Sequence, residues 1–172
     1  MTAGVVVWIT GLPSAGKSTF AQAVLGALRE QKVLACTLDG DEVRASLAPP
    51  IGYSATERAN FYETLARLAV LLAKQGLVVL VPATAHLRSF RERAGRLAPA
   101  FLEVFVDTPV DECQRRDTKG LYARSRAGDA QSVPGAAEPY ERPAQPAVVA
   151  HGGADRAALE ALLAQLLGFG RP

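Results

Sequence analysis

Cysteine is scarce in this chain: Cys36 and Cys113 are the two thiols in 172 residues. They are too few for a disulfide framework and too far apart for a zinc knuckle, so the plain expectation is two buried thiols in a reducing compartment. Lysine is scarce as well. Of 19 cations, Lys17, Lys32, Lys74 and Lys119 are the lysines and the other 15 are arginines. Against 17 carboxylates the net charge is +2, which gives no basic field for nucleic acid. Long apolar runs are missing; the longest, such as 77–83, fall far short of the roughly 20 residues of a membrane span. The start, MTAGVVVWIT, has neither a basic n-region nor a small-residue cleavage pattern, and reads as a strand rather than a signal peptide. These absences leave a cytoplasmic protein acting on small molecules, with no nucleic-acid or membrane partner.

Hydrophobic residues make up 49% of the chain, enough to fill a core and too many for a disordered tail. The length predicts one domain spanning 1–172. Residues 5–10 are a continuous β-branched and aromatic run, the pattern of a strand buried on both faces. A helical stretch at about 17–31 places Phe20, Val24 and Leu28 on one face. A second apolar strand, 33–38, ends in Asp39-Gly40-Asp41. The longest helical pattern, 58–75, carries Leu65, Leu68 and Leu72 on one stripe and stops at Gly76. Strands follow at 77–81 and 101–106. Between them an arginine-rich helix, 87–97, is expected to turn Arg91, Arg93 and Arg96 to solvent. A helix at 109–116 opens on proline, with Asp111 and Glu112 near its positive end. From 120 to 146 glycine, proline and alanine dominate, the texture of a lid or binding loop. An edge strand at 147–150 and an amphipathic helix at 154–167 complete the pattern. The strand–helix alternation predicts an α/β fold, a parallel sheet flanked by helices on both faces.

Between the first strand and the first helix lies Gly11-Leu12-Pro13-Ser14-Ala15-Gly16-Lys17-Ser18, which fits G-x-x-x-x-G-K-[ST] without a mismatch. The spacing has a physical reason. Two glycines let the backbone wrap until successive N–H groups converge on phosphate oxygens, and the loop delivers them to a helix N-terminus. Lys17 supplies an ammonium to the β- and γ-phosphates, and the Ser18 hydroxyl is placed to ligate Mg²⁺. A ligand-free tight turn is the plain alternative, but the flanking strand and helix favour an ATP-binding loop. The chain has no N-K-x-D guanine-reading element and no room for switch regions, which leaves a small-molecule kinase.

The second strand ends in L-D-G-D-x-x-R, supplying Asp39, Asp41 and Arg44 beside the loop. One carboxylate can hold Mg²⁺ through water while the other accepts the proton of an attacking hydroxyl. Arg44 can steady an anionic acceptor. The plain reading is that one aspartate starts a helix as its N-cap, and the two roles can coexist.

These residues make the chain resemble the adenylylsulfate (APS) kinases over nearly its whole length. The pieces are W-I-T-G-L-P-S-A-G-K-S-T, L-D-G-D-E-V-R, I-G-Y-S-x-x-E-R, F-L-E-V-F-V-D-T-P-V-D-E-C-Q-R-R-D-T-K-G-L-Y and R-A-G-D-x(10)-Y-E-R-P-x-x-P. The resemblance implies a P-loop kinase fold, ATP and Mg²⁺, and a homodimer. The implied reaction is transfer of the γ-phosphoryl group to the ribose 3′-hydroxyl of APS, giving PAPS and ADP. It also implies a mobile lid at about 116–146 around Lys119, Gly120, Leu121 and Tyr122. Carried over by position, Lys17, Asp39 and Asp41 are catalytic. Gly11, Ser14, Ala15, Gly16, Lys17, Ser18, Thr19 and Arg116 are expected to bind ATP, and Ser18 and Asp39 the metal. Asp41, Arg44, Tyr53, Arg58, Lys119 and Leu121 are expected to bind the acceptor, with Tyr53 in the place of a ring that stacks on the APS adenine.

The departures lie on the acceptor side. Phe61, Glu63 and Thr64 stand where the family has Asn, Arg and Arg; Asn60 comes one residue early. Ala85-His86-Leu87-Arg88 replaces S-P-Y-R, so no phosphoserine can form there, and Val133 replaces a second adenine-stacking Phe. Three readings follow: an APS kinase acting by direct transfer, a kinase of the same fold with another anionic alcohol as acceptor, or a nucleotide-binding module without catalysis. His86 is either a contact to such an acceptor or a partly exposed loop residue, and His151 is a surface residue.

Overall fold

The computed structural model describes residues 4–117, 119–127, 133–135 and 138–169. In chain order the elements are β1 (Val5–Thr10), α1 (Lys17–Glu30), β2 (Ala35–Thr37), α2 (Gly40–Ser46) and α3 (Ala55–Ala73). They continue with β3 (Val78–Pro82), α4 (Arg88–Leu97), β4 (Phe101–Val106), α5 (Val110–Arg116), α6 (Leu121–Arg126), β5 (Val148–Ala150) and α7 (Arg156–Phe169). The strands make one sheet in the order β2-β3-β1-β4-β5, and every pairing is parallel. Parallel neighbours need crossover connections, which the helices supply. All strands therefore end at the same edge, where ligands of such sheets bind.

The apolar run of β1 is buried because helices cover both faces. Val5, Val7 and Ile9 join Phe20, Val24, Leu28 and Leu162 in one core, under α1 and α7. Val6 and Trp8 join Phe61, Leu65 and Ala69 in the other, under α3 and α4. Every β1 side chain is at most 2% exposed, so the strand preceding the glycine-rich loop is the most rigidly enclosed part of the sheet.

Several elements differ from the sequence reading for identifiable reasons. β2 is confined to Ala35–Thr37, although the Leu34 carbonyl accepts from the Val78 N–H and the Leu38 N–H donates to the Leu80 carbonyl on either side of it. α3 begins three residues earlier than expected, at Ala55: the Ser54 hydroxyl accepts from the Glu57 N–H while the Glu57 carboxylate returns to the Ser54 N–H, a capping box. The 120–146 stretch is not wholly irregular, since it contains α6 and a bridge between Pro134 and Glu138. Cys113 is buried, but Cys36 is only half-buried.

Arg91 of α4 is the largest correction, whereas Arg96 faces solvent as expected. Arg91 is 1% exposed and does not face solvent. Its Nε donates to Glu103 Oε1 of β4 at 2.6 Å, and its other nitrogens donate to the carbonyls of Ala85 and Glu141. Arg93 reaches Glu63 of α3 with two hydrogen bonds of 3.0 and 3.1 Å. α4 thus ties the end of β3 to the 138–142 segment through a cation it buries. Removing Arg91 would leave a mostly enclosed carboxylate and two carbonyls without their donor. Arg91→Leu is expected to lower unfolding stability by about 2–4 kcal/mol in urea titrations; a change below about 0.5 kcal/mol would show that the pairing contributes little.

Candidate active site

The phosphate loop is shaped by contacts that leave no space for side chains. Gly11 has φ 153°, and a Cβ there would sit 2.6 Å from the Val106 carbonyl at the end of β4. Gly16, at φ 101°, would place a Cβ 2.7 Å from the Gly153 nitrogen in the turn after β5. The Thr108 hydroxyl donates to the Ala15 carbonyl at 2.7 Å, and the Tyr122 hydroxyl of α6 donates to the Pro13 carbonyl at 3.1 Å. The loop is therefore held from β4, from the β5 turn and from the lid helix together. Gly11 and Ala15 form its inner side, with the Ala15 N–H committed to the Leu12 carbonyl, whereas Ser14, Gly16, Lys17, Ser18 and Thr19 line the cleft.

α1 starts directly from this loop, with no side-chain cap and no acidic residue in its first turn, so its positive end faces the cleft without a competing carboxylate of its own. The Lys17 ammonium folds back to donate to the carbonyls of Gly11 (3.1 Å) and Leu12 (2.7 Å). Burial lowers it from 10.5 to about 8, while Asp41, the Cys113 thiol and Asp39 oppose that shift. It is a cation short of solvation, poised for anionic oxygens.

Asp39 follows β2 as the N-cap of α2, and Asp41 lies in the first turn of that helix. Asp39 Oδ1 accepts from the Asp41 N–H at 2.9 Å, the N-cap of α2, and Oδ2 accepts from the Ser18 hydroxyl at 2.5 Å. The capping and metal readings therefore meet in one carboxylate. Ser18 and Asp39 make a pair of hard oxygen donors of the kind Mg²⁺ takes, with further positions left to phosphate and water. The Asp41 carboxylate is instead ion-paired with Lys119, from the segment between α5 and α6. That bond raises the Lys119 ammonium above its ordinary value and brings the lysine onto the second aspartate.

The opposite wall of this cleft of about 880 Å³ carries Arg44, Tyr53, Arg58 and Phe61. Arg58 is 8% exposed; its Nε donates to the Tyr53 carbonyl at 2.9 Å and its Nη1 to Glu138 at 2.6 Å. Arg116, Leu121, Val133 and Pro134 close the lid side, and Arg116 is paired with Glu112 one turn earlier on α5. All the expected side-chain contacts thus lie around one cavity. His86 does not: it is 4% exposed, neither a partly exposed loop residue nor part of the cleft lining. Its Nε2 lies 3.5 Å from Glu138, and burial pushes its imidazole below the usual value. Glu63 and Thr64 also miss the cleft. Glu63 turns to Arg93 of α4, which together with Arg67 one turn on along α3 holds its carboxyl down at about 2, and the Thr64 hydroxyl donates to the Asn60 carbonyl. Thr108 and Tyr122 were not singled out as site residues by sequence, although Thr108 follows a strand in the D-T-P piece and Tyr122 sits beside Lys119.

A parallel sheet whose central strand runs into a glycine loop, a lysine on that loop and a serine–aspartate pair at its mouth define a phosphate-binding-loop kinase. The comparisons narrow this. The profile of the family described as Adenylylsulphate kinase matches residues 3–151. An adenylyl-sulfate kinase of Synechococcus is 42% identical over 146 residues, covering 85% of this chain and 83% of its own length. One from Pseudomonas aeruginosa is 45% identical over 145 residues, covering 82% of this chain and 73% of its own. The solved structure of the Mycobacterium tuberculosis APS kinase in complex with AMPPNP and APS superposes with a TM-score of 0.87, at 39% identity, over 98% of this chain and 99% of that one. The chain belongs to the adenylylsulphate kinase family.

The electrostatics of Lys17 have a consequence for binding. The folded protein releases this proton near pH 8, the unfolded chain near 10.5, so between these values unfolding takes up a proton and stability rises with pH. Bound triphosphate favours the ammonium, so binding at pH 8.5 is accompanied by proton uptake, and affinity declines as pH rises past 8. Calorimetry in buffers of different ionisation enthalpy is expected to detect that uptake in the wild type and not in Lys17→Arg. Equal uptake in both would assign it to another group.

Proposed function

We propose that this protein transfers the γ-phosphoryl group of ATP to the ribose 3′-hydroxyl of adenylylsulfate, giving PAPS and ADP. The observation that carries the reading is the convergence on one cleft of Lys17, the Ser18–Asp39 pair and Asp41 with Arg44, Tyr53 and Arg58 on the facing wall. Family membership supplies the substrates: the mycobacterial relative was solved with AMPPNP and APS.

In this reading the loop amides and Lys17 hold the β- and γ-phosphates, and Arg116 offers a stacking surface to the ATP adenine. Ser18 and Asp39 would hold Mg²⁺, which would supply positive charge against the phosphate oxygens. Arg44 and Arg58 bind the anionic end of the acceptor, and the Tyr53 ring lies against its adenine. Asp41 accepts the hydroxyl proton as the new O–P bond forms and the bond to ADP breaks, once Lys119 exchanges its ion pair for phosphate. Ala85 carries a methyl group where a covalent route would need a hydroxyl, so transfer is direct. The whole chain acts as one catalytic unit with 116–146 as its lid. Pairing as a homodimer belongs to the proposal through the family resemblance alone, and a cytoplasmic location through the sparse thiols and the composition.

A second acceptor is favoured by one feature. Phe61 puts an apolar ring where the family has Asn, and Val133 lacks the stacking ring the family has there, a lining that would suit another nucleotide-linked or small anionic alcohol. The test is ADP release with Mg-ATP and APS, set beside a no-acceptor control and a panel of nucleotide and sugar alcohols. Turnover with APS is expected, with Lys17→Ala reducing kcat by about 10²–10³ and Asp41→Asn by about 10²–10⁴. No ADP above the control with APS, while another alcohol is consumed, would transfer the assignment to that acceptor.

A further inference from the structure

On the acceptor wall the Arg44 cation lies close over two aromatic rings. The Arg44 guanidinium carbon is 3.8 Å from the centroid of the Phe61 ring and 4.4 Å from that of Tyr53. Its Nη1 is pinned by the Gly52 carbonyl at 2.7 Å, which fixes rotation of the guanidinium plane. Phe61 itself has little freedom. It is 2% exposed, and its ring meets that of Tyr62 edge-on at 5.3 Å. The Tyr62 ring lies 4.8 Å from Phe90 of α4, and its hydroxyl accepts from the Ala85 N–H at 3.1 Å. The floor beneath Arg44 is thus anchored to the end of β3 and to α4.

A guanidinium held over a ring face keeps its N–H donors directed outward along its own plane, so ring contact and anion binding do not compete. Arg44 belongs to α2, a helix of two turns, and a long side chain on so short an element would otherwise sample many rotamers. From this geometry we infer that Phe61 is a positioning residue for the acceptor: its ring face holds the Arg44 fork in the orientation that receives the acceptor's anionic group. The inference rests on the proposed reaction for its kinetic readout and on the stack alone for its spectroscopic one.

A buried phenylalanine can also be mere packing, so the test must separate ring electrostatics from volume. Phe61→3,4,5-trifluorophenylalanine nearly keeps the size of the ring and drains the negative charge from its face. It is expected to raise the KM for APS about 3- to 30-fold, leaving the KM for ATP and the melting temperature nearly unchanged. Phe61→Leu is expected to do the same with some loss of stability, and neither change is expected to add to that of Arg44→Ala in a double-mutant cycle. Equal KM values for APS in wild type and fluorinated protein, or effects that add to Arg44→Ala, would overturn the positioning role. If the wild type fails to turn over APS, the proposed reaction falls and nuclear magnetic resonance decides the stack. An Arg44 side-chain signal shifted by the rings, and moved by fluorination at Phe61, supports the stack; a signal indifferent to it overturns the inference.

Discussion

The cleft depends on how closely the backbone of the 11–18 loop approaches the ends of β4 and β5. At Gly11 and Gly16 that approach leaves no room for a Cβ, and both residues hold positive φ. Thr108 reaches under the loop to the Ala15 carbonyl, so the chain leaving the strand that excludes a side chain at Gly11 also grips the loop. The geometry aims the start of α1 into the cleft and leaves Lys17 on two loop carbonyls, partly stripped of water. Its lowered affinity for a proton is the electrostatic expression of that position. Phosphate oxygens supply what burial withheld, which makes the same residue a cost in the free protein and an attraction for a triphosphate.

The second half of the site is organised from Asp39. One carboxylate oxygen starts α2 and the other receives Ser18, so the helix that bears Asp41 and Arg44 is fixed to the phosphate loop. α3 then supplies Arg58 and Phe61 to the facing wall, and the 138–142 segment ties back to it. Glu138 pairs with Arg58, and the Glu141 carbonyl accepts from the buried Arg91. Tyr140 shares a hydrogen bond of 2.9 Å with Thr10, the last residue of β1. The cleft wall bearing Arg58 and the phosphate loop are therefore parts of one hydrogen-bonded frame rather than separate surfaces.

β1, the loop and α1 were legible in sequence because a doubly buried strand has a distinctive composition and the loop a fixed spacing. The Ser54–Glu57 capping box was also written in the sequence, but the irregular I-G-Y stretch before it drew the expected start of α3 to Arg58. Arg91 was not legible. Its helix reads as charged and solvated, and burial becomes favourable only when Glu103 and two carbonyls, distant in the chain, arrive together. Glu63 and Phe61 show the limit of reading by position. Both stand where the family has acceptor-side residues, yet two residues along a helix is a rotation of about 200°, which sends Glu63 to Arg93 and leaves Phe61 under Arg44.

Ala85 gives the chemical question its simplest form. It lies fully buried at the end of β3, where its N–H meets Tyr62 and its carbonyl meets Arg91. No hydroxyl there can take the phosphoryl group in transit, and the machinery around Lys17, Asp39 and Asp41 suits a single displacement at phosphorus. The most direct measurement is the stereochemical course of transfer from ATP made chiral at the γ-phosphorus with oxygen isotopes. One in-line transfer to the acceptor hydroxyl predicts inversion of configuration in the 3′-phosphate of the product. Retention would reveal a phosphorylated protein intermediate and contradict direct transfer.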